Sequence, residues 1–333
     1  MSRVCHSDKV FWFSPEERVD FYLNNQASFN ISLKRYEEVK NSTSWNQREM
    51  KLVSYADYEN TFTHWYCRHI VHLPRVRSIR VLPLFKSYKD LHSLMNFFLP
   101  FDRIGKEHSS VKYPFFYGEA GDIERIPCLR KSRGSDDKTS VIYNFRTLRL
   151  TSPCETAIHH DIPWEKKKDN VIWRGATTGQ MQRVHLVEKY FDTYDIAFAT
   201  IKQKPHLKHL QKDKVSIKKQ LEYKFIISLE GNDVASNLRW VLASNSVPIM
   251  TKPYWQSWII EDRLEPNMHY LELNKDLSNL DELLEWARNN DEACKEIALN
   301  GKKYMSQFLD SNNDLPVQKM VLDEYAKRLT YNN

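Results

Sequence analysis

The chain predicts an α/β protein whose C-terminal half folds as a parallel, doubly wound sheet. Three observations predict this. Strand-length apolar runs alternate with helix-length segments from about residue 170 onward. The connections between them are long enough for crossover helices. Two of the runs, Val171-Ile172-Trp173-Arg174 and Phe225 to Leu229, lead directly into glycine-bearing breaks at Gly175 and Gly231.

Taken in order, residues 171–174 form a strand, 180–190 a helix, 194–200 a strand and 216–223 a helix. Residues 225–229 form the next strand, 235–243 a helix and 246–250 a strand. Leu280–Asn289 and residues 292–309 are helical. The segment 317–329 forms a last helix able to pack back on the first half. The first half is more mixed. A helix over 15–36 precedes short strands at 79–84 and 94–99, and a charged loop follows at 131–138. The chain divides into 1–160, 161–316 and the terminal piece 317–333.

With 333 residues the chain can bury a core without disulfide or metal support. Its five cysteines, Cys5, Cys67, Cys128, Cys154 and Cys294, are odd in number and widely spaced with no CxxC. That argues against a disulfide scaffold or zinc site and for a reducing, cytoplasmic setting. The first residues carry no apolar run of signal-peptide length, and no stretch of 18 apolar residues occurs. The sequons at Asn30 and Asn41 are then accidental. The net charge is +6, densest at Lys202, Lys204, Lys208, Lys212, Lys214, Lys218 and Lys219. Such a stretch is a solvated face, or a surface for anionic lipid, an anionic acceptor or nucleic acid. No nucleic-acid motif accompanies it.

In an open parallel sheet, ligands sit beyond the carboxyl ends of the strands. Both glycine breaks fall there. After the first come Arg174, Gly175, Thr177, Thr178 and Gly179, with Arg183 one turn into the next helix. Small residues let backbone N–H groups approach a phosphate, and a helix N-terminus favours anions. The same residues also suit a plain strand-to-helix turn. After the second break come Glu230, Asn232, Asp233, Ser236, Asn237 and Arg239. Glu230 or Asp233 can accept from a ribose, and Arg239 can pair with phosphate. Asn232 or Asp233 acting as a helix cap is the simpler alternative.

The segments PWEKKKDNVIWRGATTGQMQR, KFIISLEGNDVASNLRWVLASNSVPIM and WQSWIIEDRLEPNMHYLELNKDLSNLDELLEWARNNDEACKEIALNG, in this order, resemble glycosyltransferase family 90. That family includes fungal capsule-associated xylosyltransferases, animal protein O-glucosyltransferases and bacterial lipopolysaccharide core glycosyltransferases. EGNDVASNLRW is nearest in form to the bacterial branch. The resemblance implies a two-lobed GT-B fold with a Rossmann-like C-terminal lobe, an inverting mechanism and no metal or other cofactor. It implies a UDP-sugar as donor substrate, with Gly175, Thr177, Gly179 and Arg183 holding the diphosphate alongside Ser236, Asn237 and Arg239. Residues 1–160 would then bind the acceptor and 161–316 the nucleotide-sugar.

The resemblance further implies an Asp base in the first half, where Asp102 stands about 20 residues before Asp122-Ile123; Asp122 and Asp161 are the other candidates. Lys131 and Arg133 match a basic tripeptide able to touch the donor sugar or an anionic acceptor, and His269-Tyr270 matches a supporting HY pair. Asp136-Asp137 has the wrong spacing for a metal-binding DxD. His159 and His160, taken as extended chain, would point to opposite sides. A cytoplasmic enzyme at the inner membrane face, in contact with anionic lipid and acting on a lipid-linked oligosaccharide acceptor, is the expected setting. The alternatives are a virus-encoded or protein-directed O-glycosyltransferase, and a non-catalytic carbohydrate- or nucleic-acid-binding module.

Overall fold

The computed structural model describes residues 12–42, 50–53, 111–116, 126–144, 148–179, 181–202 and 204–332. The strands expected at 79–84 and 94–99 lie outside them. The chain divides into two compact units: residues 14–148 with 311–333, and residues 1–13 with 149–310.

In the first of these, the helix expected over 15–36 is interrupted. Ser14 and Glu17 form a reciprocal capping box that starts helix Pro15–Tyr22. The helix ends where Asn24 and Asn25 take left-handed backbone angles, φ 60° and 53°. Asparagine tolerates that region better than most residues, so two in succession turn the chain. Strand Phe29–Ser32 follows, and a second helix, Leu33–Asn41, starts on the Ser32 cap. Phe29–Ser32 pairs in parallel with Leu329–Asn332. Strands Met50–Val53, Tyr113–Phe116, Leu129–Arg130 and Val141–Ile142 form a four-stranded sheet. Helix Ser311–Arg328 brings Asp314 onto Arg18 as a buried ion pair, and Asn144 donates to the second Asp314 oxygen at 3.0 Å.

The other unit is built on a five-stranded, wholly parallel sheet. Its strands are β1 Lys168–Ala176, β2 Asp195–Thr200, β3 Tyr223–Ile227, β4 Val247–Met250 and β5 Leu271–Glu272. Helices α1 Gln182–Tyr190, α2 Ile217–Gln220 and α3 Leu238–Leu242 lie in the connections, and α4 Leu280–Asn289 and α5 Asp291–Leu309 follow β5. Val171 and Trp173 join one core cluster with Phe225, Val247, Leu271, Val187 and Ile297. Ile172 and Ile226, which point to the opposite face, are also fully buried. Both faces are therefore covered, which is why the strands read as unbroken apolar runs. Each such side chain contributes about 1.5–3 kcal/mol by leaving water.

The strand order is β2-β1-β3-β4-β5. Connections run outward in one direction from β1 and in the other from β3. The reversal lies between these two strands, and the carboxyl ends flanking it carry Gly175 and Gly231.

Candidate functional site

The β1 turn is shaped by its neighbours. Trp173 packs edge-on against Phe198, with ring centroids 5.8 Å apart. Its indole lies across Gly175 so closely that a Cβ there would come within 2.3 Å of the ring. The strand pairing slips between Gly175 and Ala176. Thr177 is buried, and its hydroxyl accepts from the Lys202 backbone N–H at 2.9 Å, tying the turn to the end of β2. Gly179 has φ +88°, and a Cβ on it would fall 2.3 Å from the Gly231 carbonyl carbon. Gly179 and Gly231, 52 positions apart in sequence, thus bring the two glycine-bearing turns into backbone contact.

Arg183 joins the same two loops. Its guanidinium donates to the Leu229 carbonyl at 2.7 Å and reaches the Thr178 hydroxyl at 3.3 Å. It also lies 2.9–3.0 Å from where a Gly231 Cβ would be. The β3 loop folds tightly, with the Gly231 N–H on the Asp233 carbonyl and the Val234 N–H on the Asp233 carboxylate at 2.7 Å. Asn232 and Ser236 are exposed, and the Asn237 side chain donates to the Ile227 carbonyl at 2.8 Å. The helix expected over 235–243 is the shorter α3, because this loop consumes the residues before it. Its cap position is Asn237, without a side-chain capping bond.

Glu230 projects from the end of β3, and one carboxylate oxygen accepts from the backbone N–H of Tyr254 at 3.0 Å and of Trp255 at 2.8 Å. Burial pushes its carboxyl up to about 7 despite those two bonds. Arg239 is buried beside Ser257, Glu261 and the Trp258 ring. Its Nε and Nη1 have no hydrogen-bond partner among the described residues. A buried donor left unmet costs about 1–3 kcal/mol, so these two donors are bonding capacity that the described residues do not use.

Other expected site residues are engaged elsewhere. Arg174 is ion-paired to Asp195, donates to the Asp195 carbonyl at 2.7 Å, and so faces the start of β2. Arg133 is buried, and donates to the carbonyls of Tyr22 and Ser140 at 2.9 Å each and of Phe21 at 2.5 Å. Lys131, next to it, is half-buried. Asp137 accepts from the Thr139 N–H and hydroxyl and from the Ser140 N–H. Asp161 accepts from Lys167 at 2.5 Å and from the Asn245 N–H, beside the starts of β1 and β4. It therefore sits at the opposite edge of the sheet from the glycine loops and is not positioned as their base. His159 and His160 are not extended: they end the helix Leu148–His160, which stops just ahead of Pro163. His269 is fully buried, accepts from the Glu265 N–H at 3.0 Å, and has its pKa pushed down to about 4 by burial. Asp102 and Asp122 lie outside the described residues.

Sequence reasoning did not single out Ser257 and Glu261. Both stand in the third family-like segment, WQSWIIEDR, but only the fold brings them to Arg239.

A parallel sheet with this reversal, two touching glycine turns and a buried arginine is an architecture on which nucleotides bind. A family comparison specifies it further. Residues 146–333 match the model of glycosyl transferase family 90, and the chain belongs to that family of glycosyltransferases. It is 33% identical to the O-glucosyltransferase LpsA of Dichelobacter nodosus over 215 residues, covering 64% of this chain and 67% of that protein. It is 25% identical to the human protein O-glucosyltransferase 1 over 182 residues, covering 51% of this chain and 45% of the relative. An uncharacterised protein of invertebrate iridescent virus 6 is 30% identical over 160 residues, covering 46% of this chain and 13% of the viral protein.

Proposed function

We propose that the chain is an inverting, metal-independent glycosyltransferase that moves a hexose or pentose from a UDP-sugar to a glycan acceptor. The observation that carries this reading is the contact between the Gly179 and Gly231 turns at the reversal of a parallel sheet, in a chain of glycosyltransferase family 90. The diphosphate lies against these turns, with Arg183 and the unmet donors of Arg239 balancing its charge as it leaves. Cationic and backbone donors do the work a metal does elsewhere. Glu230, between the diphosphate loop and Tyr254, accepts from the ribose.

The two lobes adopt the GT-B arrangement, and Asp102 removes the proton from the acceptor hydroxyl as that oxygen attacks the anomeric carbon. The acceptor is a lipopolysaccharide core or other surface oligosaccharide, a reading favoured by the extent of similarity to the bacterial O-glucosyltransferase LpsA. Among the described residues no helix is long and apolar enough to cross a membrane. The exposed lysines among residues 202–219 instead hold a cytoplasmic enzyme peripherally to anionic lipid. A protein acceptor is the second reading, favoured by the similarity to protein O-glucosyltransferase 1.

The test is a screen of nucleotide-sugars for release of UDP, first without and then with candidate acceptors. One UDP-sugar should be turned over well above the rest. Asp102→Asn should lower transfer by about 10²–10⁴-fold, the usual contribution of a general base, and leave the dissociation constant for UDP unchanged. Equal turnover in the variant would remove Asp102 from the mechanism, and no turnover of any UDP-sugar would remove the donor assignment.

A further inference from the structure

Three buried side chains beyond β3 and β4 form a relay. Arg239, in α3, donates from Nη2 to the Ser257 hydroxyl at 2.9 Å. Ser257, in the short strand Trp255–Ser257, donates its own hydroxyl to Glu261 Oε1 at 2.5 Å. Its backbone N–H meets Oε2 at 2.5 Å. All three residues are buried, Arg239 and Glu261 at 2% exposure and Ser257 at 0%.

The geometry is unlike that of an ordinary ion pair. An arginine and a carboxylate that meet for stability close a two-pronged contact at about 2.7–2.9 Å. Here the carboxylate stays 3.9 Å from the guanidinium and turns both oxygens onto Ser257. Glu261 thus holds the serine, and the serine holds one prong of the arginine. Since the guanidinium is a rigid plane, fixing Nη2 sets the direction of every other N–H. The Trp258 ring, 5.5 Å from the guanidinium carbon, supports that plane. The hydrogens left over are those of Nε and Nη1, and neither has an acceptor among the described residues.

We infer that Ser257 and Glu261 are positioning residues that aim Arg239, keeping its Nε and Nη1 hydrogens for the diphosphate of a nucleoside diphosphate. This rests on the reading that Arg239 binds the leaving diphosphate. Both donors are covered from solvent, so an anion gains them only as the surrounding side chains part. In return it meets them in a medium where a charge-assisted bond is strong.

The test measures UDP binding to the full chain by titration calorimetry, with thermal melts establishing that each variant is folded. Ser257→Ala and Glu261→Gln should each weaken UDP by about tenfold, within the range of coupling between residues that share a network. In an Arg239→Lys background the same two changes should alter the dissociation constant by less than about twofold, because no fork remains to be aimed. Equal losses in both backgrounds would overturn the inference, as would a full-affinity Ser257→Ala. If Arg239→Lys alone weakens UDP while the other two variants do not, the positioning role falls and the diphosphate reading stands. If Arg239→Lys leaves UDP affinity intact, the reading of Arg239 falls and the relay with it. Ser257→Ala removes a single oxygen and carries the test alone should Glu261→Gln not fold.

Discussion

The two edges of the parallel sheet are built on opposite plans. At the edge where β1, β3 and β4 begin, polar groups close on one another. Lys167 donates to Asp161 and to the Leu221 carbonyl, Asp161 takes the Asn245 N–H, and Lys302 donates to the Asn245 side chain at 2.8 Å. Arg174, Asp195 and Tyr223 close a second set nearby. At the edge where β1 and β3 end, the chain uses glycine, brings two backbones into contact, and leaves Arg239 donors unmet among the described residues. The difference teaches where to look for chemistry: charge alone marks both edges, and only unmet bonding capacity separates them.

The sharpest way to break this comparison is at the closed edge. Asp161→Ala strands a buried Lys167 ammonium and should cost about 3–5 kcal/mol of stability, as removal of one partner from a buried pair does. UDP affinity, measured well below the melting temperature, should not change. A loss of affinity without a loss of stability would mean that this edge serves the ligand.

At the open edge the pattern should invert. Arg183→Ala should weaken UDP by about 1.5–3 kcal/mol, the range for hydrogen bonds to charged groups. Gly179→Ala should also impair UDP binding, since its φ of +88° and the Gly231 backbone at 2.3 Å leave no room for a methyl group. The strain alone is about 1–3 kcal/mol. Calorimetry on both variants checks this. Unchanged UDP affinity in both would show that the glycine contact serves the fold only.

The smallest expected effect is a difference in pH dependence. The Glu230 carboxyl, at the open edge, is raised from 4.5 to about 7 by burial. Its contribution to stability is complete below pH 4.5 and is lost as pH rises through about 7. His269, just before β5, is lowered from 6.5 to about 4, again by burial. Its contribution is complete above pH 6.5 and is lost as pH falls through about 4. Glu230→Gln should therefore make stability rise more steeply between pH 4.5 and 7, and His269→Gln should flatten it. An effect on the order of 1 kcal/mol moves Tm by about 2–4 °C in a unit of this size. Melts across pH 4 to 8 check it, and parallel profiles for both variants and the parent would remove both assignments.

Much of the second half was legible because buried parallel strands leave a direct trace. Val171 to Trp173 and Phe225 to Ile227 are apolar without interruption, and no half-exposed strand reads that way. The interruption at Asn24 and Asn25 was less legible, because a helical periodicity on either side conceals a two-residue turn. Arg174 and Arg183 read alike in sequence, as basic residues around one glycine. The fold sends the first to Asp195 and the second across the glycine turns to Leu229. Ser257 and Glu261 lay inside a family-like segment without being singled out, since their relation to Arg239 is spatial.

By itself, the sequence determined the strands, the glycine breaks and the family, because each depends on residues near one another along the chain. Tertiary structure alone decided the strand order, the contact of Gly179 with Gly231 and the direction in which Arg239 is aimed. Strand order follows from which way each crossover runs over the sheet, and no local pattern of side chains encodes that choice. Once it places β1 beside β3, the two turns meet and the same arginines acquire different partners.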